Sequence, residues 1–176
     1  ETNPAQTLPA LAREAVEAFV LTGKLLPVPP SSGVLSTPAA CFVSIKTGSG
    51  DLRGCIGTIE PAKEALAEEV ILNAVNAATR DPRFKPVTPR ELTNLRYSVD
   101  ILGAPEPASI EDLDPAVYGV IVEDETSGLR GLLLPDIAGI DTVAQQLEIA
   151  ARKAGIPQGR PLKLLRFVVQ RFGEKC

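Results

Sequence analysis

The chain has 176 residues, 44% of them hydrophobic and 23% charged, with a net charge of -4. That length suits one well-buried domain, and the average composition excludes disordered, coiled-coil and collagen-like chains. No run approaches the ~20 apolar residues of a membrane span and the N-terminus lacks a signal-peptide pattern, so a cytoplasmic protein without membrane attachment is expected.

In chain order, Leu8, Leu11, Ala12, Ala15, Val16, Phe19 and Val20 recur at helical spacing. They predict an amphipathic helix with Thr7 as N-cap and Gly23 as its stop. Residues 26–38, LPVPPSSGVLSTP, cannot continue a helix and predict an extended arm over the surface. Cys41–Lys46 and Leu52–Glu60 read as two strands joined through Gly48, Ser49 and Gly50. A second helix is expected from Pro61, a favoured first-turn residue, to Thr79, with Asp81-Pro82 marking its end. Alternation of Tyr97, Val99 and Ile101 with Ser98 and Asp100 predicts a strand over Arg96–Leu102. After a Pro-rich loop the pattern restarts: a hairpin of Val120–Glu123 and Leu129–Leu134, then a helix capped by Asp141 or Thr142, with Gln145 for a capping box and Gly155 and Pro157 as its end. A last strand is expected at Leu164–Phe172.

Offsetting the two halves by 77 residues places Leu52-Arg53-Gly54 on Leu129-Arg130-Gly131 and Val43 on Val120. Hairpin, helix and strand arrive twice in the same order. The expected fold is therefore α+β: a single domain of two hairpin-helix-strand repeats, 39–103 and 116–173, with mainly antiparallel sheet and residues 1–38 as N-terminal helix and arm.

With no His in the chain, Cys-His and Ser-His pairs are excluded within it. Cys41, Cys55 and Cys176 match neither a disulfide framework nor a zinc pattern, so reduced thiols and no metal are expected. A hairpin centred near Gly48 brings Cys41 close across from Cys55, a contact that a two-residue slip in the turn removes. Cys176 is expected to be idle. Charge is segregated. Arg130 is the only cation from Glu106 to Glu148, whereas Arg152, Lys153, Arg160, Lys163, Arg166 and Arg171 follow with no acid among them. A second basic group holds Arg80, Arg83, Lys85, Arg90 and Arg96. Solvated faces and helix-end charges account for such groups; an anionic small ligand or an acidic partner is the sharper alternative.

The two copies differ where one carries Arg53, Cys55 and Gly57 on a strand face and the other carries Arg130, Leu132 and Leu134. Cys55 and Gly57 in place of leucines leave room above the sheet, as a strand glycine does where a ligand or backbone approaches. On that face Arg53 stands two residues from Cys55, where it would stabilise a thiolate, and Glu60 would accept a proton or pair with the arginine. Read structurally, Cys55 is a small buried hydrophobe. In the segment after the second helix, Arg80, Asp81 and Arg83 form a rigid turn that either stabilises the helix end or aims a guanidinium at a carboxylate or phosphate.

The motif LRGCIG (Leu52–Gly57), followed by Thr58-Ile59-Glu60-Pro61 and by Ala77-Ala78-Thr79-Arg80-Asp81-Pro82-Arg83-Phe84, resembles the AMMECR1 domain family. The similarity runs on through Tyr118–Val122, Arg130–Pro135 and Lys153–Ile156, and Gly139–Val143 with Gln145 and Gln146 is most similar to its bacterial branch, the AmmeMemoRadiSam system protein A. The resemblance implies an α+β fold with two subdomains around a cleft and places Arg53, Cys55 and Gly57 in the functional segment. It also implies association with a Memo-like protein and a radical SAM enzyme, without supplying a reaction.

Three functions are weighed. The first is a binding or accessory module of no cofactor, working through a cleft at the LRGCIG strand, with Gly54, Gly57, Arg80, Asp81 and Arg83 as ligand or partner contacts. Second is a thiol enzyme with Cys55 as nucleophile, Arg53 as activator and Glu60 or Asp81 as proton carrier. Nucleic-acid binding ranks third, because aromatics are 4% and the net charge is acidic.

Overall fold

In a computed structural model the described residues are 4–174. Cys176 lies outside them. The chain forms two compact units, Glu1–Leu102 with Gln170–Cys176, and Gly103–Val169.

The first unit begins with α1, Pro4–Thr22. It starts earlier than the Thr7 cap expected from sequence and takes in Thr7 and Pro9. It stops where expected: Gly23, at φ 72°, donates its N–H to the Phe19 carbonyl, a left-handed C-terminal cap. The hairpin strands are β1, Cys41–Thr47, and β2, Leu52–Gly57. Next come α2, Leu66–Thr79, and β3, Leu95–Leu102. Pro61 does not open α2 as expected. The buried Glu69 carboxylate takes hydrogen bonds from Thr58 Oγ1 and from the backbone N–H groups of Ala62 and Lys63, fixing 58–63 as a loop instead.

The sheet order is β2-β1-β3-β8, where β8 is Val169–Gly173, so β1 is central and β2 lies at an edge. Both β2 and β3 run antiparallel to β1. α2 packs on β1 and β2, and α1 on α2 and β3. The core between them gathers Leu8, Ala12, Val16, Val43, Ile45, Leu66, Val70, Ala74, Tyr97 and Val99, all essentially solvent-free.

In the second unit β4, Glu106–Pro107, β5, Gly119–Asp124, β6, Arg130–Leu133, and β7, Leu162–Phe167, form an antiparallel sheet of order β4-β7-β5-β6. α3, Val143–Lys153, packs on β5 and β6. Of the two expected caps the structure uses Thr142, whose hydroxyl accepts from Gln145 N at 3.2 Å while Gln145 Oε1 accepts from Thr142 N at 3.1 Å. The expected final strand is two: β7 stays in this sheet, and past Val168 the chain returns to the first sheet as β8.

Both hairpins share one register. Val43 faces Ile56 and Ile45 faces Gly54, while Val120 faces Leu133 and Val122 faces Gly131, each pair 77 residues from its counterpart. The third strand follows at different spacings, Ser44 facing Ser98 but Ile121 facing Leu165. Among the described residues no helix is long and apolar enough to cross a membrane.

Candidate functional site

β2 turns the side chains of Arg53 and Cys55 to the face that Gly57 leaves bare and the Cα of Gly54 to the other, against α2. A Cβ at Gly54 would collide with the Ala77 carbonyl of α2, so only glycine lets helix and hairpin meet there. One at Gly57 would run into the ring of Phe42, the residue directly opposite on β1. Both glycines thus serve internal packing. The expected open room above Gly57 is filled by the protein's own phenylalanine.

Cys55 is half-buried, and Ser44, opposite it in the register, donates its hydroxyl to the sulfur at 3.3 Å. Cys41 is not its cross-strand neighbour. Cys41 is buried, takes a hydrogen bond from Asn73 Nδ2, and has its thiol pushed up to about 12 by burial, which leaves it inert at neutral pH.

Arg53 pairs with a carboxylate of the following loop. Its guanidinium engages Glu91 with two bonds, Nε to Oε1 at 2.7 Å and Nη2 to Oε2 at 3.3 Å, and its buried Nη1 makes no hydrogen bond. Thr88 donates its N–H and hydroxyl to the same carboxylate, completing a capping box over Pro89–Asn94. Arg53 foremost, with Thr88, holds the Glu91 carboxyl at about 2.

Asp81 is 4% exposed and lies beside the edge of β2, where the outward N–H of Cys55 donates to its Oδ2 at 3.0 Å. Arg83 closes on the same carboxylate, Nε to Oδ1 at 3.0 Å and Nη2 to Oδ2 at 2.8 Å, and its backbone N–H adds a third bond to Oδ1. Burial would raise the carboxyl, but Arg83 and the two backbone donors override it and hold Asp81 at about 2. The basicity of Arg83 is raised chiefly by Asp81, opposed by burial. Both guanidiniums flank the Phe84 ring, Arg53 at 5.9 Å and Arg83 at 5.5 Å from its centroid.

The structure therefore joins Cys55, Asp81 and Arg83 through the Asp81 carboxylate, and Arg53 and Arg83 both lie over the Phe84 ring. Arg80 caps α2 through its backbone and points its side chain to solvent. Glu60 is exposed beyond the end of β2; the buried carboxylate near that end is Glu69. Ser44, Phe84 and Glu91 were not anticipated. Thr88-Pro89-Arg90-Glu91, a capping-box pattern with proline at its first position, is the signal that points to Glu91. A groove of about 610 Å³ lies wholly in the second unit, along α3, and none of the motif residues lines it.

An α+β protein with a thiol-bearing edge hairpin locked by two arginine-carboxylate pairs is the class that fold and site define. The chain belongs to the AMMECR1 family, whose model matches residues 9–172. A protein of Thermotoga maritima is 47% identical over 165 residues, covering 92% of this chain and 94% of its own. One of Clostridium acetobutylicum is 44% identical across 93% of this chain, but the match spans only 35% of that longer protein. The crystal structure of an uncharacterised protein from Pyrococcus horikoshii has the same fold, with a TM-score of 0.86 at 30% identity, covering 97% of this chain and 91% of that one.

Proposed function

We propose that the chain is a cytoplasmic binding or accessory module that acts with a Memo-like protein and a radical SAM protein through the surface formed by β2 and the 81–91 loop. What carries this reading is the state of the carboxylates around the thiol. Asp81 and Glu91 are each held at about 2 by an arginine, so neither accepts a proton effectively at neutral pH. Rigid, paired guanidiniums, Arg53 on the edge strand and Arg83 on the loop after α2, suit recognition better than proton transfer. The long Clostridium relative, most of whose chain lies outside the match, supports a module that works beside other polypeptide.

A second reading, a thiol enzyme with Cys55 as nucleophile, is favoured by one observation, the bond from the Cys55 N–H to the same carboxylate that Arg83 clasps. One experiment separates them. Cys55→Ser and Arg83→Gln are compared with the parent for co-purification with the two partners, and the parent thiol is titrated with iodoacetamide. The accessory reading expects association weakened about tenfold or more in at least one variant, about 1.4 kcal/mol, and an alkylation rate no faster than that of an ordinary thiol. Undisturbed association would move the interface elsewhere, and fast alkylation with a depressed pH midpoint would promote the enzyme.

A further inference from the structure

Between α1 and β1 the chain exposes apolar residues that the fold does not use. Lys24-Leu25-Leu26-Pro27-Val28-Pro29-Pro30 belongs to no helix or strand, and of these residues only Leu26 packs against the core of the first unit. Leu25 is 51% and Val28 47% exposed, and Lys24, Pro27, Pro29 and Pro30 are exposed as well. Stray surface leucines need no explanation, but an ordered run of them does.

Backbone chemistry fixes its shape. Pro27, Pro29 and Pro30 each hold φ near about -65°, and each bars its predecessor, Leu26, Val28 and Pro29, from helical geometry. Those restraints select extended or polyproline II backbone for residues 26–30, and the polyproline II form repeats about every three residues. Side chains three apart then share a ridge. With Leu26 anchored inward, Lys24, Pro27 and Pro30 form one outward ridge, and Leu25 and Val28 another. Gly23 at φ 72° and Gly33 at φ 63° bend the chain at either end, so the ridges are presented by a segment held at both flanks.

From this geometry we infer that residues 24–30 are a docking segment for a partner domain whose groove is lined by aromatic side chains and carries a carboxylate at one end. The prolines and aliphatic side chains fill the aromatic slots, and the Lys24 ammonium, one turn before Pro27, meets the carboxylate. The preformed conformation keeps the ordering cost of binding small. The inference does not depend on the function proposed for the LRGCIG strand.

The test uses a property of the composition: the chain has no Trp. Purified SH3 and WW domains, which carry Trp in such grooves, are titrated with the full chain up to about 1 mM, and their Trp emission reports groove occupancy without background. A saturable change with at least one domain is expected. Pro27→Ala/Pro30→Ala should weaken it about tenfold or more, and Lys24→Glu several-fold, while circular dichroism and melting stay at the parent's values. Cys55→Ser should leave it unchanged. A panel with no response, or a response that survives the double proline substitution, overturns the inference.

Discussion

Asp81 shows how much one side chain can join. Its carboxylate ties the Cys55 N–H at the edge of β2 to the Arg83 fork on the loop after α2, and so occupies a donor that an edge strand would otherwise offer to another chain. Sequence pattern identified Asp81 as a turn former that bonds local backbone, which it does through Arg83 N. The bond to Cys55 crosses 26 residues, and no local pattern encodes it. Its pH signature follows from the lowered carboxyl. The ordinary value is 3.8 and the folded value about 2, so the unfolded chain takes up this proton first on acidification. The stability due to Asp81 is therefore full above about pH 4 and is lost as pH falls toward 2; Glu91, lowered from 4.5 to about 2, adds to the same limb. With Arg83 half exposed, the Asp81 share is about 1–2 kcal/mol. Asp81→Asn should lower urea-unfolding stability at pH 7 by about that amount and flatten its decline between pH 4 and 2. A decline as steep as the parent's would contradict this account.

At the scale of elements, both hairpins approach their helices by the same means. Gly54 meets the Ala77 carbonyl of α2, and Gly131 meets the Ala150 carbonyl of α3 and the methyl of Ala154, which caps that helix. Backbone cannot yield as a flexible side chain can, so adding one methyl forces helix and hairpin apart. Gly54→Ala and Gly131→Ala should each cost about 1–3 kcal/mol in chemical denaturation, whereas Ser49→Ala on the exposed turn should cost almost nothing; a neutral Gly54→Ala would refute the close-packing role. Elements of this kind were legible because hydrophobic period and turn residues are local, and the α+β order of hairpin, helix and strand could be read from them. What was not legible depended on partners distant in sequence. Pro61 carried a helix-start signal that the buried Glu69 overrides, and the Cys55 partner was set by a register that places Ser44, not Cys41, opposite it. The room expected at Gly57 vanished because the facing residue is Phe42, which only the same register reveals. At the candidate site the motif residues were legible but their partners were not: Arg53 pairs with Glu91, and Arg83 with the Asp81 carboxylate that also takes the Cys55 N–H.

Taken as a whole molecule, the chain builds most of one unit, builds the other, and then returns to complete the first. Residues 164–172 read as one strand because periodicity is blind to which sheet a strand joins; the switch occurs at Val168, which is left half exposed. The return is fixed by charge. Arg171 donates Nε and Nη2 to Asp100 of β3 at 2.8 and 2.9 Å, and Glu174 takes two bonds from Arg13 of α1 and one from the Tyr97 N–H. Asp100 is 3% exposed, so removing its arginine leaves a buried carboxylate without its main counter-charge, a costlier change than removing both partners. Arg171→Ala should therefore lose about 2–3 kcal/mol, and Arg171→Met/Asp100→Asn should recover part of that loss. Hydrogen exchange locates the damage: amides of β3 and α1 should lose more protection than those of β5 and α3. Equal loss in both units, or a double variant no more stable than the single, would show that the last strand is held by apolar packing alone rather than by this buried pair.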